Sequence, residues 1–228
     1  MTAKIFFITS TDTGVGKTVL TALLTQHLQA RGVAVAAMKP LSSGGRADAK
    51  TLHAALGGTL SLDEINPWHF RAPLAPLIAA RREGKRVRLS EVLACQRRAR
   101  KRCDVLLIEG AGGLLSPLGE DFSNRELIAA MRAVPIVVCP NRLGAINQVL
   151  LVIAALPSAA ARRAKVVLVS PPRANVASRT NFKFLAGRLG AKRVFSLPWL
   201  TNRRDIEVAT ANVRVGRVLD GLVETDSR

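Results

Sequence analysis

Lys4–Thr18 reads KIFFITSTDTGVGKT, and Thr18–Ala30 follows it with apolar residues at helical spacing. A continuously apolar strand, a glycine-containing turn and a helix in that order open an alternating α/β chain. Outward from this stretch, Gly32 stops the helix and Val33–Met38 reads as the second strand. Further short apolar strands are predicted at Asp104–Ile108, Pro135–Cys139, Lys165–Val169 and Val194–Leu197. Helices are predicted at Asp48–Leu56, Leu74–Arg82, Ser90–Arg102, Ser123–Arg132, Ala145–Leu156 and Arg179–Leu189. Ser123 with Glu126 three residues on is a capping-box signature. Short apolar strands separated by helices imply a mainly parallel sheet covered on both faces. With no repeat or low-complexity linker, residues 1–228 form a single doubly wound α/β domain on this reading. Ligands of such sheets bind beyond the carboxyl ends of the strands.

Composition narrows the function classes. Apolar residues are 48% of the chain and charged ones 22%, which excludes disordered and collagenous chains. Apolar runs such as Val149–Leu156 fall short of the ~20 residues of a membrane helix, and the start of the chain lacks a secretory signal. A soluble, cytoplasmic protein is expected. Cys95, Cys103 and Cys139 are odd in number and without a His at ligand spacing, so they read as buried or half-buried thiols. His27, His53 and His69 form no cluster, and His27 or His53 fits a helix flank. The formal charge is +18, and 25 of the 34 basic residues are Arg. They gather at Arg81–Arg88, Arg97–Arg102 and Arg162–Lys165 without interleaved aromatics, and the chain has no Tyr. Solvated helix faces are favoured over a nucleic-acid groove, so nucleic acid is not expected as a partner.

Polar residues collect where the strands end. In Ser10–Thr18 the glycines let backbone N–H groups wrap a phosphate at a helix N-terminus. Lys17 adds a full charge for the outer phosphates, and Thr18 supplies a hydroxyl for Mg²⁺. Thr11 stands where the strict G-x-x-x-x-G-K-[ST] pattern has glycine. The context still implies a P-loop NTPase-like fold. Lys39, ending the second strand, can neutralise charge on a transferring phosphoryl group, and Ser43 can hydrogen-bond an amine or carboxylate; a structural turn is the competing reading. Glu109-Gly110-Ala111-Gly112-Gly113 offers a carboxylate for Mg²⁺ and close backbone approach. Asp48 is a further metal ligand or simply a helix N-cap. Arg142–Asn147 opens a helix and with it an anion site.

The ordered set resembles the dethiobiotin synthetase family from about Phe6 to Leu200. The matching features are Thr11–Thr18, Lys39-Pro40 with Ser43, Asn66-Pro67, Glu109–Gly113 with Pro117-Leu118, Leu143-Gly144 with Ile146-Asn147, and Leu197–Leu200. The resemblance implies an ATP-dependent, Mg²⁺-dependent ligase of biotin biosynthesis that closes a cyclic urea from 7,8-diaminononanoate and CO₂. It implies catalytic roles for Thr13, Lys17 and Lys39, and metal ligation by Thr18, Asp48 and Glu109. Nucleotide contacts fall to Gly14, Val15, Gly16, Lys17, Thr18 and Val19, to Asp48 and Glu109, to Gly110, Ala111 and Gly112, and to Pro198, Trp199, Leu200 and Asp205. Ser43 and a partner subunit's turn matching Gly144, Ala145, Ile146 and Asn147 would hold the diamine, so a homodimer is implied. Two departures stand out. Ser10 occupies a position where the family has Gly, with strain expected if that position needs φ > 0. Ser170-Pro171-Pro172 replaces an adenine-reading Asn, which points to a relaxed base preference. A partition-type ATPase is the alternative; that family carries a second, signature Lys in the loop, where Thr11 and Asp12 stand here.

Overall fold

The computed structural model describes residues 3–173, 175–200 and 203–224, with the backbone alone for 203–205 and 207. The chain opens with β1 (Lys4–Ser10), α1 (Lys17–Ala30) and β2 (Val35–Met38). Short strands β3 (Leu41–Ser43) and β4 (Trp68–Phe70) bracket α2 (Ala47–Ala55) and α3 (Leu62–Ile65). Helices α4 (Pro76–Arg82) and α5 (Leu89–Arg100) lead to β5 (Val105–Glu109). A hairpin of β6 (Pro117–Gly119) and β7 (Phe122–Ser123) precedes α6 (Asn124–Met131) and β8 (Val134–Pro140). Then come α7 (Ala145–Ala155), α8 (Ser158–Arg163), β9 (Lys165–Ser170), α9 (Val176–Leu189) and β10 (Val194–Pro198). Helices α10 (Arg203–Thr210) and α11 (Val213–Val223) close the described chain.

Six strands form one sheet in the order β10-β9-β8-β1-β5-β2, and every pairing in it is parallel. The expected doubly wound α/β architecture is therefore observed. Its register brings the strand ends level: Met38 lies beside Ile108, Glu109 beside Ile8, and Ser10 beside Val138. The turns after β1, β2 and β5 consequently open onto one edge. Alternation along β1 divides the core. Ile5 and Phe7 face a layer with Ile108, Val137 and Leu127, whereas Phe6 and Ile8 face Leu20, Leu24, Leu52 and Leu219. Phe6 and Phe7 are both fully buried, a contribution of about 1.5–3 kcal/mol each.

Most predicted boundaries hold within a few residues, and the exceptions have local causes. β2 begins at Val35 because the Val33 N–H is spent on Leu28 O, closing α1. α4 begins at Pro76, two residues late, because proline suits the first helical turn. Ser123 and Glu126 form the expected capping box. Unforeseen were β3, β4, the β6–β7 hairpin, α3, α8, α10 and α11. α11 is amphipathic, burying Val215, Leu219 and Leu222, and Asp220 ties it to His27 (2.8 Å) and Arg31 (2.7 Å) of α1.

The three cysteines are free, with Cys139 buried and the others half-buried. Burial pushes all three thiols above their ordinary pKa. The basic clusters stand mostly in solvent, with Arg100 and Lys165 half-buried; Arg81 pairs with Glu120 and Arg102 with Glu64. Among the described residues, no helix is long and apolar enough to cross a membrane.

Candidate active site

The turn after β1 curls over the N-terminus of α1. Gly16 caps that helix at φ 101°, a left-handed conformation that strains any residue with a Cβ. Neither a side-chain cap nor an acidic residue occupies the first turn of α1, so its leading N–H groups are left for an anion. Lys17, buried to 6% exposure, folds back beneath the loop and donates to Ser10 Oγ (2.8 Å) and to Asp12 O (3.0 Å). Burial and then the Lys39 charge lower its pKa to about 8.

β2 delivers Lys39 into the same space. Its side chain donates to Glu109 Oε1 (2.6 Å) and Asp48 Oδ2 (2.5 Å). Burial alone would depress this ammonium, but Glu109 and Asp48 outweigh burial and raise its pKa. Asn66 braces the strand end: its amide donates to Lys39 O (2.7 Å) and its carbonyl accepts from Ser42 Oγ (2.9 Å). Asp48 is the second residue of α2 and caps nothing; Arg46 is the N-cap. Burial would raise the Asp48 pKa, yet Lys39 holds it below the ordinary carboxylate value.

β5 ends in Glu109, whose side chain has no exposure. Thr18 Oγ1 donates to Glu109 Oε1 (2.8 Å), so one carboxylate oxygen serves Lys39 and Thr18 together. The other, Oε2, is buried without a partner. An orphaned carboxylate oxygen beside Thr18 Oγ1 and the half-exposed Asp48 is an oxygen donor set suited to a hard divalent cation such as Mg²⁺. Behind Glu109, a Cβ on Gly110 would meet Asn124 Oδ1 at 2.5 Å, which requires glycine there.

These groups line one cavity of about 750 Å³. Thr13, Gly14, Val15, Gly16, Lys17, Thr18 and Val19 line it together with Lys39, Ser43, Asp48 and Glu109. Ala111 and Gly112 also line it, and on the side of β9 and β10 so do Val169, Leu197, Pro198, Trp199 and Leu200. Ser43 Oγ donates to Leu74 O (2.5 Å), leaving its lone pairs as acceptors. Gly110 stands behind the wall, its N–H spent on Ile8 O. The Gly144–Asn147 turn does not line this cavity: Gly144 and Asn147 are exposed, Ile146 is half-buried, and Ala145 is buried with its N–H on Arg142 O. The Asp205 side chain lies outside the described residues. Ser170 bonds Ser196 Oγ (2.9 Å) instead of facing the cavity.

Sequence reasoning missed three contributors. Strain at Ser10 was expected only if its position needed φ > 0; it does not, and Ser10 ends β1 outside the left-handed region and accepts from Lys17. The Pro73–Pro76 loop and Ser116 also line the cavity; their sequence carries no signal beyond turn residues.

A family model described as an AAA domain matches residues 4–206. The ATP-dependent dethiobiotin synthetase BioD of Anaeromyxobacter sp. (strain Fw109-5) is 42% identical over 154 residues, covering 66% of this chain and 69% of that protein. The enzyme of the same name from Marinobacter nauticus is 34% identical over 224 residues, 91% of this chain and 93% of its own. Among solved structures, pNOB8 ParA bound to nonspecific DNA superposes with a TM-score of 0.57 at 12% identity, covering 97% of each chain, a likeness of fold alone. The match to the family model, the parallel sheet with its glycine turn before α1, and 34% identity over 91% of the chain to a named synthetase lead to one conclusion: the chain belongs to the ATP-dependent dethiobiotin synthetase family.

Proposed function

We propose that the chain closes a cyclic urea on 7,8-diaminononanoate, using CO₂ and ATP, within a single α/β domain. The supporting observation is the convergence of Lys39, Glu109, Asp48 and Thr18 with the Lys17 loop around one cavity. One amine forms a C–N bond to CO₂ and loses a proton, giving a carbamate. A carbamate oxygen attacks the γ-phosphorus as the bond to ADP breaks, giving a carbamic-phosphoric anhydride. The second amine then attacks the carbonyl carbon, the C–O bond to phosphate breaks, and a proton leaves. Thr13 and Ser43 align the carbamate, a positioning role. Lys17 and Lys39 offset the negative charge that carbamate and triphosphate bring together. Thr18, Asp48 and Glu109 hold Mg²⁺, which when bound neutralises charge on the phosphates. Pro198, Trp199 and Leu200 take the base. Little acid–base machinery is needed, consistent with a site that no histidine lines.

The substrate's carboxylate falls to the Gly144–Asn147 turn of a second subunit. Support comes from exposed apolar side chains around α7: Leu151 at 62% and Leu115 at 63% line one depression, and Leu143 in the turn before the helix is 89% exposed, which a homodimer would cover. The test is phosphate release with Mg-ATP and bicarbonate, with and without the diamine. Diamine-dependent release is expected; release indifferent to the diamine overturns this reading in favour of an ATPase of another kind.

Base preference gives a separate prediction. Among the described residues, the β9 and β10 side of the cavity offers Trp199 and aliphatic side chains, which stack on any base. Sites that read hydrogen bonds discriminate by 10⁴ or more, whereas apolar pockets discriminate by about 10²-fold or less. Turnover with CTP or GTP is therefore expected within about 10²-fold of ATP; undetectable turnover with both would defeat the idea.

A further inference from the structure

Lys17 carries three N–H donors, and an ammonium buried to 6% exposure needs acceptors to offset its lost hydration. The backbone supplies one, Asp12 O at 3.0 Å. A second is a side chain, Ser10 Oγ at 2.8 Å, on a residue with no exposure. The same hydroxyl reaches Asp12 O (2.6 Å) and Gly112 O (3.2 Å). Ser10 therefore joins three parts of the site: the ammonium, the loop that wraps the phosphates, and the turn following Glu109. With Gly at this position the ammonium would keep, among the described residues, the Asp12 carbonyl alone, and the link from this hydroxyl to Gly112 O would be lost.

We propose that Ser10 is a positioning residue, holding the Lys17 ammonium where the outer phosphates bind and so setting the affinity for nucleoside triphosphates. A hydroxyl suits this task. It is a neutral acceptor, so it fixes the ammonium without cancelling the charge offered to the phosphates, as a carboxylate would. It also donates one hydrogen, for which the Asp12 and Gly112 carbonyls compete. The inference rests on reading Lys17 as the ligand of the outer phosphates.

The experiment measures ATP and AMP affinities by calorimetry or competition, on wild type, Ser10→Ala and Lys17→Met, with thermal unfolding recorded for each. AMP lacks the outer phosphates, so an effect transmitted through Lys17 falls on ATP alone. Ser10→Ala is expected to weaken ATP by about tenfold, as for a lost hydrogen bond to a charged group, while AMP changes less than about twofold. Equal loss for both nucleotides would reduce Ser10 to a structural brace, and no loss for either would remove it from the site; both overturn the proposal. Lys17→Met separates the two levels. If it leaves ATP affinity intact, the phosphate role of Lys17 fails. If it weakens ATP and Ser10→Ala does not, only the Ser10 proposal fails. Should Ser10→Ala unfold, Ser10→Gly removes the same hydroxyl at the end of β1 and serves in its place.

Discussion

Lys39→Ala is expected to lower diamine-dependent phosphate release by at least about 10²–10³-fold, the cost of deleting one preorganised group that stabilises transition-state charge. The same substitution is expected to destabilise the fold. Glu109 has no side-chain exposure, and in the variant its Oε1 keeps only the Thr18 hydroxyl. Removing one partner of a buried pair costs about 3–5 kcal/mol, because the remaining charge is stranded away from water. Asp48 loses its partner as well, but at 47% exposure water takes over that role. At about 2–4 °C per kcal/mol for a chain of this size, unfolding moves down by roughly 10 °C. The paired readout matters. Lost turnover with an unchanged unfolding temperature would mean that the Glu109 side chain relaxes to another partner. A lowered unfolding temperature with normal turnover would make Lys39 a structural partner and remove it from the chemistry.

The fold was legible because its strands are continuously apolar and its first turn is rich in glycine. β1, β5, β8 and β9 are each buried on both faces, and only a sheet covered by helices satisfies that pattern. The elements that escaped notice are those whose stability comes from elsewhere. β3 and β4 have three residues each and exist because Asn66 and the Trp68 N–H hold the two segments together. Of the site, the charged residues were legible as types but not as partners. Nothing in the spacing of Lys39, Asp48 and Glu109 says that one ammonium bonds both carboxylates, since Lys39 and Glu109 are joined only through the β2–β5 pairing. The part played by Ser10 was hidden for the same reason. The sequence allowed only a conditional argument about its backbone, whereas its role depends on a lysine seven residues away, across a turn whose path the sequence does not specify.

Glu109→Gln probes the other side of that network, and its expected signature differs. Glutamine keeps the shape and one carbonyl oxygen, so Thr18 and Lys39 retain an acceptor where Oε1 now stands. Lys39 also keeps Asp48, so no unpaired charge is stranded. The amide NH₂ takes the place of Oε2, an atom without a partner at present, and becomes a buried donor with no acceptor. That costs about 1–3 kcal/mol, less than the Lys39→Ala penalty. The catalytic loss is expected to be large nonetheless. A cation at this position would lose an anionic ligand and meet a donor in its place. Turnover at fixed Mg²⁺ should fall by about 10²-fold, equivalent to about 2.7 kcal/mol of charge stabilisation, and the half-saturating Mg²⁺ concentration should rise by about tenfold or more. Raising Mg²⁺ should recover part of the turnover in Glu109→Gln and none of it in Lys39→Ala, because only the first lesion is in the metal's own ligands. An unchanged Mg²⁺ dependence would take Glu109 out of the metal's coordination, leaving it the anionic anchor of Lys39 and Thr18.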